Sequence, residues 1–356
     1  MTLDELRQCI DRCDMEILRL LNERARFALQ IAEIKRSENS AFYVPEREKA
    51  IFDRLRRHNP GPLPDPAVKG IYREIISAVR ALERPVSVAF FGAKATFTHM
   101  AAMRLFGSHA EYHPMPTIDD VFTEVERKRC DYGVVPAETS SGGGVSDTLD
   151  RFVNSDLRIV NEVMMHVKQN LLSNGPLESI TKVYSKVQGF VQCRSWLKAN
   201  LPAAQQIETS STAEAAEIAS QEEGAAAIAS ELAAELYDIK ILVSGIEDAA
   251  RNFTRFFVIG HQMAKPTGQD KTSILCAIKD RPGALYSLLN PLALRGINLT
   301  RIESRPSQRK AWEYVFFIDM LGHVEDPNIR EGLEEVGAFC KEVKVLGSYP
   351  HGELEE

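Results

Sequence analysis

What this chain lacks narrows it first. Its 356 residues hold only six cysteines, Cys9, Cys13, Cys130, Cys193, Cys276 and Cys340, scattered and without a C-x-x-C pair. Cys9 and Cys13 can share a helix face, but two thiols without a nearby His make poor metal ligands. They read as reduced thiols, and no metal or cofactor is expected. No apolar stretch reaches the ~18 residues needed to span a bilayer, and an acidic residue stands where a signal peptide would carry positive charge, so the expected address is the cytoplasm. A basic tail is missing too. With a net charge of −7 and a pI near 5.7, nothing here is suited to neutralising nucleic-acid phosphates or an anionic membrane. What is present, 44% hydrophobic residues and 8% aromatics, suffices for several cores, and the length suggests two or three domains.

No Pro or Gly interrupts the first forty residues. There Leu3, Arg7, Ile10, Asp14, Ile17, Leu21, Arg24, Ala28, Ile31 and Lys35 recur at alternating steps of four and three, the seam of a long amphipathic helix. From Leu3 to Arg36 such a helix extends about 50 Å, too long for a small monomeric bundle. Its stripe is therefore expected to bury against a second copy, giving a homodimer, with pairing of dimers into a tetramer also open. Arg7, Arg24 and Lys35 sit in that stripe, where burial beside Ile and Leu costs several kcal/mol each unless an anion meets them. Two readings stand: cations that snorkel out of a coiled-coil seam, or a receptor for a carboxylate-bearing ligand.

Three blocks follow from punctuation. Residues 1–84 read as all helix: Pro45 opens a second helix with Glu46, Arg47 and Glu48 in its first turn, and Pro60, Pro62, Pro64 and Pro66 break the chain before a third, Val68–Leu82. Residues 86–262 mix short strands (Val86–Phe91, Tyr132–Val135) with helices (Thr98–Phe106, Ala213–Ser220, Glu231–Leu236), which suggests α/β units with crossover connections. Ala264–Lys271 is a polar linker. Residues 270–350 then read strand, helix, strand, strand, helix, strand, the ferredoxin-like order. Gly296 closes the helix Ala284–Arg295, Asn298–Ser304 and Trp312–Ile318 are strands, Asp326 caps a helix with Pro327 at its first position, and Val343–Leu346 is an edge strand.

Four motifs carry a resemblance. Arg281-Pro282-Gly283-Ala284-Leu285 resembles a G-A-L-V motif and Glu303-Ser304-Arg305-Pro306 reproduces E-S-R-P; Asn252-Phe253-Thr254-Arg255-Phe256 matches N-x-T-R-F, and Val134-Val135-Pro136-Ala137-Glu138 matches V-V-P-x-E. Over its whole length the chain resembles the bifunctional chorismate mutase–prephenate dehydratases. That implies an all-α mutase domain, an α/β dehydratase domain of two subdomains and a ferredoxin-like α+β ACT domain. It also implies an enzyme of phenylalanine biosynthesis that rearranges chorismate to prephenate, decarboxylates and dehydrates prephenate to phenylpyruvate, and is inhibited by phenylalanine. The other reading, from a different class, is a chorismate mutase whose degraded dehydratase domain senses prephenate or phenylalanine as a binding module.

The resemblance also assigns residues. Chorismate carries two carboxylates, and charge develops on its breaking ether bond, so the mutase needs cations rather than a nucleophile. By resemblance Arg7 reaches across the dimer, Arg24 and Arg47 hold the carboxylates, Lys35 meets the ether oxygen and Glu48 takes the hydroxyl. Glu83 stands where some members have Gln and must be protonated to donate, and Val79 replaces a Ser. In the dehydratase, Thr254 is the implied proton donor, with Glu138, Thr139, Ser185 and Gln192 as further catalytic residues and Thr96, Phe97, Thr98, Asn252 and Arg255 binding substrate. Thr139 stands where an Asn is expected, with Ser140 and Ser141 as candidates to compensate. Ala93 and Ala95 replace a Pro and a Gly, and Lys186 and Val187 interrupt Y-S-H-P-Q. Effector binding falls to Gly283, Ala284, Leu285, Asn298, Leu299, Glu303, Ser304 and Arg305. There Gly283 lets a ligand approach the backbone and the helix N-terminus offers free N–H groups.

Overall fold

The computed structural model describes residues 1–38, 43–140, 142–249, 251–278, 281–306 and 314–352. The chain divides into two compact units, Met1–Val86 with Leu105–Glu111, and Ser87–Arg104 with Tyr112–Glu356.

The first unit is helical. α1 (Leu3–Glu38) runs 36 residues, about 54 Å at 1.5 Å per residue. A capping box starts it: the Glu5 N–H donates to Thr2 Oγ1 and the Thr2 nitrogen to Glu5 Oε2. α2 (Pro45–His58) opens on a proline whose missing N–H costs the first turn nothing, and α3 (Asp65–Glu83) follows a proline-rich turn in which the Asn59 amide donates to the Leu63 carbonyl and to Asp65. Both α1 and α2 pack on α3. The predicted seam stays uncovered in the single chain, with Ile10, Ile17 and Ile31 each more than half exposed.

In the second unit, one lobe is built from β1 (Ser87–Phe91), α4 (Phe97–Phe106), β2 (Glu111–Met115), α5 (Ile118–Glu126), β3 (Tyr132–Thr139), β4 (Gly143–Gly144), α6 (Ser146–Asn154) and β5 (Arg158–His166). The chain then crosses into another lobe. That lobe contains β6 (Asn170–Leu172), β7 (Lys182–Ser185), α7 (Val187–Gln192), α8 (Arg194–Asn200), β8 (Gln205–Glu208), α9 (Thr212–Gln221), β9 (Ala225–Ala229), α10 (Glu231–Leu236) and β10 (Ile241–Val243). It returns as β11 (Phe253–Gly260), which inserts between β3 and β5 so that the first sheet runs β2-β1-β3-β11-β5; the second runs β10-β6-β9-β7-β8. Crossover connections occur as expected at the parallel pairs β1–β3 and β7–β9, but β11 pairs antiparallel to both neighbours. This return strand, Phe253–Gly260, is buried on both faces.

The last block is β12 (Asp270–Ile278), α11 (Ala284–Leu294), β13 (Leu299–Pro306), β14 (Tyr314–Leu321), α12 (Pro327–Phe339) and β15 (Cys340–Pro350), with sheet order β13-β14-β12-β15. Trp312, expected in the third strand, lies outside the described residues. β15 is much longer than the expected Val343–Leu346. It pairs with β12 from Cys340 to Pro350 through two register shifts that break its alternation. Asp326 precedes α12 as expected, but its carboxylate accepts the His323 N–H rather than one from the helix. One face of this sheet packs on α11 and α12 through Ile274, Leu288, Leu292, Ile318 and Val336. The other face joins the first lobe in a shared core, where Leu275, Phe317, Leu346 and Tyr349 meet Leu149, Phe152 and Phe257. β15 crosses so close over β5 that a Cβ on Gly347 would lie 2.1 Å from the Ile159 carbonyl oxygen, which only glycine permits.

Candidate active sites and regulatory face

In the helical unit, α1 and α2 bring two guanidinium groups into one field. Burial pushes the half-buried Arg24 down from its ordinary pKa; nearby Tyr72 opposes that, and Arg47 adds like-charge repulsion. Two cations within each other's field would be relieved by an anion placed near both. Lys35 and Glu83 are half-buried on α1 and α3, while Arg47 itself is exposed. Arg7 stands apart: it is exposed and donates to its helix neighbour Asp4 at 3.5 Å. Glu48 is ion-paired with Arg80, a residue the sequence reading passed over, whose guanidinium also lies 5.2 Å from the Tyr43 ring centroid. The signal was available, since Arg80 is a lone cation within Ile75–Leu82, the same anomaly that marked α1.

The two lobes of the second unit meet at a hinge anchored by a chain of amides. The Asn252 amide donates to the Val167 carbonyl at 2.9 Å, the Gln192 amide to Asn252 Oδ1 at 3.1 Å and the Gln169 amide to Gln192 Oε1 at 2.8 Å. Because a backbone carbonyl can only accept, it fixes the orientation of all three amides. Thr254, two residues on, is buried and pairs across the strands with Thr139 and Met165. The loop before α4 ties the lobes together. The Ala95 N–H donates to His99 Nδ1, its carbonyl accepts Ser230 Oγ from the other lobe at 2.7 Å, and Thr96 Oγ1 donates to the Ala93 carbonyl. Ala95 holds a φ of 62°, so the backbone keeps the left-handed conformation that suits glycine although a methyl now fills the position. Thr98 is buried beside this loop and Phe97 half-buried.

Several expectations change here. Ser185 Oγ donates to the Ile228 carbonyl at 3.0 Å, leaving it only as an acceptor. Ser140 does not replace the missing amide. It donates to the Arg251 carbonyl and accepts the Phe253 N–H, strapping the backbone on either side of Asn252. Ser141 lies outside the described residues. Thr139 Oγ1 accepts the Gly142 N–H.

The largest revision concerns Glu138 and Arg255. Alternation along β3 and β11 puts Thr139 and Thr254 on one face and the cross-strand pair Glu138 and Arg255 on the other. Arg255 is buried and fully engaged: Nε donates to Glu162 at 2.6 Å, Nη1 to Asp319 at 2.5 Å and Nη2 to the Tyr349 hydroxyl at 3.0 Å. Burial would push the Asp319 carboxyl up, but Arg255 and Ser273 Oγ hold it below the ordinary carboxylate range. Arg255 therefore joins the last block to the first lobe rather than lying beside Thr254.

The regulatory residues divide likewise. Gly283, at φ 75°, precedes α11, with Ala284 half-buried, Leu285 exposed, and Asn298 and Leu299 at the head of β13. A register shift between Leu299 and Arg301 then turns the strand, so Ile302 and Ser304 pair with Ile318 and Phe316 of the helix-covered core. Glu303 and Arg305 face the first lobe. Arg305 binds Asp150 at 2.9 and 3.1 Å and Ser146 Oγ at 2.7 Å. These two are domain-joining residues and do not share a face with Gly283.

The chain thus combines helices with clustered cations, a two-lobed α/β domain and a βαββαβ domain, the architecture of a multidomain protein. Family models for chorismate mutase type II match residues 6–84, for prephenate dehydratase residues 88–264, and for the ACT domain residues 272–338. The chain is 52% identical to the bifunctional chorismate mutase/prephenate dehydratase of Aquifex aeolicus over 99% of both chains, and 45% identical to that of Neisseria gonorrhoeae over 98% of both. Its fold is similar to the crystal structure of prephenate dehydratase from Arthrobacter aurescens in complex with L-Phe, at 31% identity and TM-score 0.70, covering 75% of this chain and 90% of that one. The chain belongs to the bifunctional chorismate mutase/prephenate dehydratase family.

Proposed function

We propose that residues 1–84 convert chorismate to prephenate, residues 86–262 convert prephenate to phenylpyruvate, and residues 270–350 bind phenylalanine as feedback inhibitor. The observation that carries this is the succession of three family matches along one chain. In the mutase, Arg24 and Arg47 take the substrate carboxylates and Lys35 stabilises charge on the ether oxygen as the bond breaks. Glu48, oriented by Arg80, accepts a hydrogen bond from the substrate hydroxyl. A protonated Glu83 donates to the same ether oxygen.

Arg7 completes this site from a second copy. The proposal of a homodimer rests on the uncovered apolar seam of α1 and on the exposure of Arg7, whose ion-pair partner is its own helix neighbour Asp4. No helix among the described residues is long and apolar enough to cross a membrane. Six cysteines with free thiols support a cytoplasmic location.

In the dehydratase, prephenate occupies the cleft lined by Thr96, Phe97, Thr98, Ser185, Gln192, Asn252 and Thr139. Thr254 gives its proton to the departing ring hydroxyl. The bond to the ring carboxylate breaks, its electron pair forms the new ring double bond, and carbon dioxide and water leave as the ring becomes aromatic. A threonine hydroxyl is a weak acid, so its contribution depends on placement within a largely water-free cleft. Phenylalanine binds at the α11 N-terminus against Gly283, Ala284, Leu285, Asn298 and Leu299, its carboxylate on the free N–H groups.

Incubation with chorismate, following prephenate and phenylpyruvate separately, tests the whole. Both products should form, and Thr254→Val should stop phenylpyruvate while sparing prephenate. Phenylpyruvate no faster than the spontaneous rate would leave the middle block as a binding module.

A further inference from the structure

The strand pair that carries Thr254 is restrained from its far side by residues of the ACT domain. Thr254 pairs with Thr139 and Arg255 with Glu138, after which the register slips, so that Phe256 meets Pro136 and Ala137 is bulged out. A bulge beside an active site re-aims the side chains next to it. Here it begins just past Arg255, next to Thr254. Behind it the Glu138 carboxylate sits between two guanidiniums: Arg255 at 3.5 Å, from its own domain, and Arg301 of β13 at 3.7 Å. Arg301 is itself nearly buried and is paired with Glu303 on the same strand. Arg255 in turn is held by Asp319 and Tyr349, both of the ACT domain, and by Glu162, which Lys271 also binds at 2.9 Å.

The two guanidiniums differ in their freedom. Arg255 is fixed by three oxygen partners on three strands. Arg301 reaches Glu138 only because the bulge between Leu299 and Arg301 turns its side chain toward the lobe. A small sliding of β13 would carry Arg301 away from Glu138 while leaving Arg255 seated.

We propose that Arg301, contributed by the ACT domain, is a positioning residue for the dehydratase reaction. Through Glu138 it holds the bulged β3–β11 pair in the register that aims Thr254, and so forms a direct path from effector domain to reacting group. This rests on the reading of Thr254 as proton donor.

The test compares Arg301→Gln, Arg301→Lys, Glu138→Gln and the Arg301→Gln/Glu138→Gln double variant in the full chain, with mutase activity of each preparation as the control of integrity. Arg301→Gln should lower dehydratase kcat by about tenfold with a much smaller change in KM, as expected for a misaimed group rather than lost binding. Arg301→Lys, which keeps the charge but not the planar fork, should recover part of it. The double variant should be no slower than the slower single variant, because both act on one path. Wild-type dehydratase kcat in Arg301→Gln, or multiplying defects in the double variant, overturns the proposal. If Thr254→Val retains full activity the donor reading fails and this one with it. If Thr254→Val is dead while Arg301→Gln is normal, only the role of Arg301 falls.

Discussion

Acid should release the loop that carries Thr96, Phe97 and Thr98, because His99 holds it as a neutral base. His99 Nδ1 accepts the Ala95 N–H at 3.1 Å, and its ring stacks on Phe90 with centroids 4.6 Å apart and meets Tyr112 edge-on at 5.2 Å. A protonated ring could not accept that bond. Burial, with repulsion from Lys94 added, pushes the imidazole down from 6.5 to about 4. Between those values the unfolded chain holds a proton that the folded chain does not, so stability is fully present above about pH 6.5 and is lost as pH falls toward about 4. At pH 5 the linkage amounts to roughly 2 kcal/mol, and partial solvent access to the ring reduces the expectation to about 1–2 kcal/mol. His99→Gln keeps an acceptor but cannot be protonated. At pH 7.5 it should be less stable by about 1 kcal/mol, the worth of the lost ring contacts. By pH 5 that deficit should vanish or reverse. Denaturant unfolding of both proteins at pH 7.5, 6 and 5 measures the difference, and dehydratase activity over the same range reports the loop. A constant gap between the two proteins across that range would refute the assignment.

Legibility followed chemistry and failed where register decided. The long helix was readable because a seam of four-and-three spacing needs no tertiary information, and the ferredoxin-like order was readable because its helix boundaries carry Gly296 and Pro327. The cations Arg7, Arg24 and Lys35 stood out because charge in an apolar stripe is costly in any fold, whereas Arg47, at an exposed helix start, was marked only by the family resemblance. What escaped was which face of a strand a residue occupies. Glu138 and Thr139 are neighbours in a motif, as are Thr254 and Arg255, yet adjacent strand residues point to opposite sides, so each motif is shared between the cleft and the domain junction. Glu303 and Arg305 were assigned to the effector by their motif, and a single bulge at Leu299–Arg301 turned them toward the first lobe. Bulges leave no reliable mark in composition. Arg80 carried the same mark as the cations of α1, but its partner Glu48 lies 32 residues away on another helix, so the pair itself left no local sign.

Four further outcomes follow from the same geometry. Lys35→Ala should lower mutase turnover more than substrate binding, since charge develops at its oxygen, whereas Arg24→Ala should weaken both; wild-type kinetics in either variant would remove that residue from the site. Arg80→Leu should strand the Glu48 carboxylate and cost about 2–4 kcal/mol in denaturant unfolding, with Arg80→Leu/Glu48→Gln restoring stability but not mutase activity. Thr139→Asn should speed phenylpyruvate formation roughly fivefold or more, because a restored amide can pair a substrate group that a hydroxyl leaves unmet at about 1–3 kcal/mol. The last concerns Glu83. A carboxylate has no proton to give, so if this side chain supports the ether oxygen it does so as the acid, and mutase turnover should fall as pH rises and the proton is lost. Glutamine donates through an amide that does not titrate in this range, so Glu83→Gln should hold its turnover at high pH and flatten the profile. Lys35 supplies charge to the same oxygen, which keeps the wild-type loss partial rather than complete. An identical pH profile in the two proteins would mean that Lys35 alone stabilises the breaking bond and that Glu83 has no part in it.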